Sequence, residues 1–341
     1  MFNNSFKLLF FFNLFFSSMI SISSMSWFNS WMGLEINLLS FIVLTLKSNN
    51  LFSTETSIKY FLIQALASNI LLFSIILLSF FLMKFNFLYM NFMNLIMITT
   101  LMMKMGVAPF HLWFIQISET LNWINNLILM TWQKIAPLIL ISYCSNFFIF
   151  IILAMYTILI GTIGGLNQIS LRKLMAYSSI NHLGWMILGM MMNMNSFKLY
   201  FFIYSIMSMS VMFMFNFFKI FLIKQFFNKT MSMYMKFFLN FSILSLAGLP
   251  PLIGFFPKWI IIETLIKSNF LFLTLYICFF SLFSIFFYIR IMFNLLFLNH
   301  FEMKNYFKKI NIFSLYFLFF YSLILIFSLF GIFFMNFLIS F

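Results

Sequence analysis

Three lysines stand inside stretches otherwise long and apolar enough to cross a membrane. They are Lys104 in LIMITTLMMKMGVAPFHLWF, Lys134 in NNLILMTWQKIAPLILISY and Lys258 in LAGLPPLIGFFPKWIII. A carboxylate, Glu35, stands the same way in WFNSWMGLEINLLSFIVL. Placing an ionisable group in a bilayer costs at least ~2.5–3.5 kcal/mol, so such groups are rare and mark ion or proton pathways. Together these residues point to a proton or ion route through a membrane. A buried glutamate needs a cationic partner, and Lys104 is the expected one. A carboxylate nearby favours the ammonium, while burial disfavours it. The pair is therefore expected to have two states, closed with the proton held on Lys104 and open with the proton free to leave.

The other candidates rank lower. Lys134 has no carboxylate in its own stretch, and its central position argues against snorkelling to an interface. Glu263, five residues beyond Lys258, is a candidate partner for that lysine. His111 and His182 lie in membrane segments, where a histidine relays protons near neutral pH or serves as a structural residue. The polar run AYSSINH around His182 could hold ordered water between the lysines. Arg290, near a helix end, is expected to snorkel, and His300, in a loop, carries no assignment. The chain contains no GxGxxG or Walker sequence, no metal-ligand spacing, and too few membrane histidines for two bis-histidine haems. Cys144 and Cys278 read as packing residues.

These residues must be positioned by membrane spans. Hydrophobic residues make up 64% of the 341-residue chain and charged residues 7%, against about 25% charged in soluble domains. This excludes separate soluble domains and makes the chain a polytopic all-α membrane protein. A span needs about 20 apolar residues. Eleven are expected: 2–22, 27–46, 58–82, 88–118, 123–145, 147–166, 170–192, 197–223, 237–268, 270–298 and 314–338. The first reads as a retained helix, because no small-residue cleavage site follows it.

Loop charges set orientation. Lys7, Lys47, Lys59, Arg172, Lys173, Lys219, Lys224, Lys229, Lys236, Lys304, Lys308 and Lys309 fall on one side of this arrangement, and only Lys84, Lys198 and Lys267 on the other. The N-terminus is thus expected on the side of synthesis and the C-terminus opposite. The formal charge of +14 is spread through short loops as a topology signal, so nucleic acid is not an expected partner.

The fourth and ninth spans are too long for one straight helix. Each carries a Gly-x-x-Pro break: Gly106 to Pro109, and Gly248 to Pro251 with Pro250 between. Proline removes a backbone donor and clashes with the preceding turn. Broken helices at membrane depth occur where protein or a water-filled cavity lines them, and transporters place ion sites there in corresponding positions of inverted repeats. Breaks five spans apart predict two inverted five-helix repeats, about 1–145 and about 146–298, plus a C-terminal helix at about 314–338, all in one transmembrane domain. The alternative is two ordinary proline kinks.

Composition also speaks of origin. Phe 58 and Met 29 are very high, and Asn, Ile and Lys are common. These residues suit an AT-rich genome whose code reads a second codon as Met, which points to a mitochondrion, with an AT-rich bacterium as the alternative.

The segments WMGLEINLLSF, KMGVAPFHLWF, MTWQKIAPLIL, GGLNQISLRKLMAYSSINHLGWM and GLPPLIGFFPKW resemble the chain 2 family of mitochondrial NADH–ubiquinone oxidoreductase, in an invertebrate-like form. These motifs span residues 31–259. The resemblance implies an antiporter-like, proton-pumping subunit of the membrane arm of respiratory complex I, in the mitochondrial inner membrane, with the N-terminus in the matrix and the C-terminus in the intermembrane space. It implies that Glu35 and Lys104 form the coupling pair, that Lys134 is the central proton carrier and that Lys258 is the exit-side residue. It implies no cofactor on this chain, with NADH, FMN, iron–sulfur clusters and ubiquinone handled by other subunits. The implied partners are neighbouring membrane-arm chains, antiporter-like ones included, and phospholipids such as cardiolipin. A stand-alone cation/proton antiporter and a purely structural membrane-arm subunit are the rival functions.

Overall fold

The computed structural model describes residues 5–46, 50–82, 87–144, 146–228 and 233–296. The expected eleventh span at 314–338, together with Lys47, Lys84, Lys229, His300, Lys304, Lys308 and Lys309, lies outside the described residues. All regular elements among the described residues are helices apart from one isolated bridge, Ser170 to Leu222. A chain that is two-thirds apolar must satisfy its backbone within each segment, and a helix does so. Seven described helices are long and apolar enough to cross a membrane. The chain divides into two compact units between residues 149 and 150.

The first unit holds α1 (Ser5–Ser23), α2 (Trp27–Thr45), α3 (Leu51–Leu82), α4 (Phe87–Met105), α5 (Leu112–Thr120), α6 (Trp123–Met130) and α7 (Trp132–Ser142). Helix α1 packs on α2, α2 on α3, α3 on α4 and α5, and α7 on both α1 and α4. The α1–α2 crossing is close because it is built from small residues, as membrane helix interfaces are. A Cβ on Gly33 would lie 2.8 Å from the backbone nitrogen of Ser21. Helix α3 starts at Leu51, seven residues before the expected start, because its polar first turns, with Glu55 and Lys59 ion-paired at 2.5 Å, are helical too.

The expected single span 123–145 is divided. Thr131 sits between α6 and α7 with φ −115° and ψ −71°. Its hydroxyl donates back to the carbonyl of Leu127, and Pro137 in α7 cannot donate to the carbonyl of Gln133. Both effects bend helices.

The second unit runs from α8 (Phe147–Leu166), most of which lies past residue 149, through α9 (Leu171–Met192), α10 (Met194–Phe218), the short α11 (Gln225–Asn228), α12 (Met233–Ala247), α13 (Phe255–Lys267) and α14 (Leu271–Leu296). Helix α10 ends at Phe218, short of the expected 223, where Lys219 turns left-handed at φ 49°. Nearly all of α9 is buried. A helix enclosed by protein needs no apolar face for lipid, so α9 can carry Ser178, Ser179, Asn181 and His182 in mid-membrane. Helix α14 is the opposite case. Phe272, Leu275, Phe279, Leu282, Phe286 and Phe293 recur at three-, four- and seven-residue steps and are exposed, as a lipid-facing stripe requires.

Candidate functional site

Both predicted breaks are present and are built alike. Helix α4 ends at Met105, followed by Gly106 at φ 71°; α12 ends at Ala247, followed by Gly248 at φ 76°. In the first, the Gly106 N–H donates to Met103 and the Val107 N–H to Met102. In the second, the Gly248 N–H donates to Ser245 and the Leu249 N–H to Leu244. This paired closure is a common helix stop, and it needs a left-handed residue that only glycine supplies at low cost. Pro109 and Pro251 follow, each after a cis peptide bond.

Carbonyls at a helix C-terminus need outside donors. At the first break Gln64 of α3 donates to the carbonyl of Lys104 at 3.0 Å, and the Trp113 indole donates to that of Met103 at 3.1 Å. Lys104 stands in the last turn of α4, buried, where the helix dipole favours a cation. His111 stands at the N-cap position of α5 without a side-chain cap bond, and its Nδ1 lies 3.0 Å from the carbonyl of Pro109 within the break.

Glu35 is half-buried on α2, and its charge reaches Lys104. Among the described residues the two are not closed into a salt bridge. The expected pair is therefore open in contact.

Lys134 is 1% exposed and lies in the first turn of α7. Its Nζ has no hydrogen-bond partner and sits 4.8 Å from the centre of the Phe114 ring. Burial this complete rules out snorkelling.

At the second break the donor is a lysine. Lys258, in the first turn of α13, folds back so that its Nζ donates to the carbonyl of Ala247 at 2.7 Å. The ammonium is also 5.7 Å from the centre of the Trp185 ring, within reach of a cation–π contact. Gly248 makes room for it, since a Cβ there would lie 2.8 Å from Nζ.

Glu263 is not the partner of Lys258. It pairs with Lys267 at 2.6 Å on an exposed face. Residues four apart share a helix face and residues five apart do not, so the i,i+4 pair wins.

His182 is brought together with two buried tyrosines of α10. Its Nδ1 is 2.8 Å from the hydroxyl of Tyr200, and its ring is 4.9 Å from that of Tyr204. These three residues, with Ser245, Gly254 and Pro257, line a cavity open to the centre of a water molecule over about 10 Å³. That is close to the minimum for one water. Pro257 and Gly254 belong to the same turn that positions Lys258.

Arg290 is part-buried and reaches the end of a neighbouring helix. Its guanidinium donates to the carbonyls of Leu166 and Gln168 at 2.5 and 2.8 Å, capping the end of α8. This cap, the Gln64 and Trp113 caps and the tyrosines of α10 were missed from the sequence. Their signal would have been side-chain N–H and O–H donors inside apolar spans. No group of His, Cys, Asp or Glu among the described residues could hold a metal ion.

Buried lysines without a carboxylate salt bridge, two of them at glycine-stopped, proline-broken helices, are the build of an antiporter-like helical membrane protein. The family model described as NADH:quinone oxidoreductase/Mrp antiporter, TM matches residues 24–284, and the chain belongs to that family. It is 54% identical over 294 residues to NADH-ubiquinone oxidoreductase chain 2 of Aedes aegypti, covering 86% of both chains. It is 48% identical over 290 residues to the protein of that name from Anopheles gambiae, covering 84% of this chain and 85% of the relative.

Among solved structures it is similar to a chain of respiratory complex I from Thermus thermophilus with bound aureothin. The TM-score is 0.76 at 20% identity, over 85% of this chain and 70% of that one. It is also similar to a chain of the Mrp complex from Dietzia sp. DQ12-45-1b, with a TM-score of 0.76 at 15% identity over 83% of this chain and 59% of that one. The fold expected from the sequence, an antiporter-like helical membrane protein, agrees with both.

Proposed function

We propose that this chain is a proton-translocating membrane-arm subunit of respiratory complex I in the mitochondrial inner membrane. One observation carries the reading: Lys104, Lys134 and Lys258 are buried in membrane segments, and none is ion-paired with a carboxylate. A buried charge kept for structure is paired. Lysines held instead by a carbonyl, an aromatic face and a helix end are placed to gain and lose protons.

In this reading Glu35 and Lys104 close and open as a pair. The proton passes from Lys104 to Lys134 and on to Lys258, which serves the exit side. His182 with its one-water cavity beside the Lys258 turn serves as a relay, and His111 holds the first break. Both units act as inverted copies of one design, with the N-terminus in the matrix. Electrons pass through NADH, FMN, iron–sulfur clusters and ubiquinone in other subunits. Neighbouring antiporter-like chains and phospholipids such as cardiolipin cover the exposed phenylalanine faces.

The test is proton pumping per NADH oxidised in reconstituted complex carrying Lys134→Met, with assembly verified. Lost or reduced coupled turnover is expected. Unchanged pumping at normal assembly would leave a structural subunit instead, and cation exchange by the isolated chain in liposomes would favour the antiporter reading.

A further inference from the structure

Lys134 has an unusual support. No protein group hydrogen-bonds its Nζ, so the ammonium is placed by the Phe114 ring and by the backbone of the first turn of α7. That turn is not held by a continuous helix either, because the chain breaks at Thr131 immediately before it. The two residues between the break and Lys134 supply the anchorage. The Trp132 indole donates to the hydroxyl of Ser18 on α1 at 3.1 Å. The Gln133 amide donates to Oδ1 of Asn37 on α2 at 3.0 Å.

Asn37 is buried and lies two residues beyond Glu35 on the same helix. The helix that carries the acidic residue is therefore tied directly to the residue next to Lys134, in addition to the electrostatic link through Lys104. The bond joins two neutral amides. It neither gains nor loses charge when a nearby group takes up a proton, so it persists through the protonation states of Glu35, Lys104 and Lys134. A link of that kind transmits displacement, not charge.

We propose that Gln133 is a positioning residue: through its bond to Asn37 it moves the first turn of α7 with α2, so that opening and closing at Glu35 shifts the Lys134 ammonium relative to Phe114. This rests on the reading of Lys134 as a proton carrier. The break at Thr131 is the hinge between this turn and α6, which is itself bonded to α2 where the Asn125 amide donates to the carbonyl of Leu44 at 3.1 Å.

The test uses the assembled complex carrying Gln133→Met, which keeps the length of the side chain and removes the donor. Asn37→Ala removes the same bond from the other helix and serves if the first variant assembles poorly. The rate of NADH-driven proton pumping per assembled complex and its pH profile are measured. The expected result is a fall in pumping rate of about tenfold, equivalent to about 1.4 kcal/mol on the barrier, with an altered pH profile. The double variant should be no worse than either single one, since both remove one bond. The exchanged pair Asn37→Gln with Gln133→Asn should recover part of the rate.

A bond that serves only as a staple would lower the amount of assembled complex and leave pumping per complex and its pH profile normal, which overturns the inference. Lys134→Met separates the two levels. If that variant loses pumping while Gln133→Met and Asn37→Ala keep it, the positioning role alone fails. If Lys134→Met pumps normally, the carrier reading fails and this inference with it.

Discussion

The ammonium of Lys258 donates to the carbonyl of Ala247 across the break that separates α12 from α13. The last carbonyls of a helix carry its negative dipole end and lack partners within the helix. A lysine from beyond the break fills that place and is buried by doing so. The first break is arranged differently: Gln64 and Trp113 cap its carbonyls, and Lys104 stands within the last turn itself. In both units a buried cation is thus set at the C-terminal end of a half-helix.

Gly248 is the weak point of this arrangement. A left-handed backbone costs a residue with a Cβ roughly 1–2 kcal/mol, and here the Cβ would also press on Lys258. Gly248→Ala is expected to lower pumping per assembled complex, because the ammonium must leave Ala247. Normal pumping in that variant would show that the Lys258–Ala247 contact is dispensable. Gly106→Ala acts elsewhere: its Cβ would meet Phe114 at 2.7 Å, the ring beside the Lys134 ammonium, so it too is expected to lower pumping, through Lys134 and not through Lys258.

Arg290 separates structural from functional charge. Its guanidinium caps two carbonyls at the end of α8, and hydrogen bonds from charged groups contribute about 1.5–3 kcal/mol each. Arg290→Met should reduce thermal stability and the yield of assembled complex, with pumping per assembled complex preserved. A variant that assembled fully but pumped poorly would move Arg290 into the proton route.

Glu263 is paired with Lys267 in an exposed i,i+4 bridge, a geometry that contributes about 0.3–0.5 kcal/mol. Glu263→Gln is therefore expected to leave pumping unchanged and to shift stability barely at all. A marked loss of pumping would return Glu263 to the list of relay residues.

Much of the site was legible because its signals are local. An ionisable residue in an apolar run is visible by hydropathy alone, and Lys104, Lys134, Lys258 and Glu35 were found that way. Gly-x-x-Pro stops a helix through the chemistry of its own residues, so both breaks were found at Gly106 and Gly248. The break at Thr131 was harder, since it arises from a back-bonding hydroxyl and a proline six residues further on.

What the sequence determined by itself was the class of molecule, its helical character, the two glycine–proline breaks and the ionisable residues that stand in apolar runs. These follow from the cost of placing charge and unpaired backbone in lipid, which acts residue by residue. What only the tertiary structure decided was who partners whom. Arg290 meets Leu166 across 124 positions, and Gln133 meets Asn37 across 96. Lys258 passes over a glutamate five residues away for a carbonyl eleven residues back. Partnership depends on which helix faces are packed together, and that is set by the whole core and not by spacing along the chain.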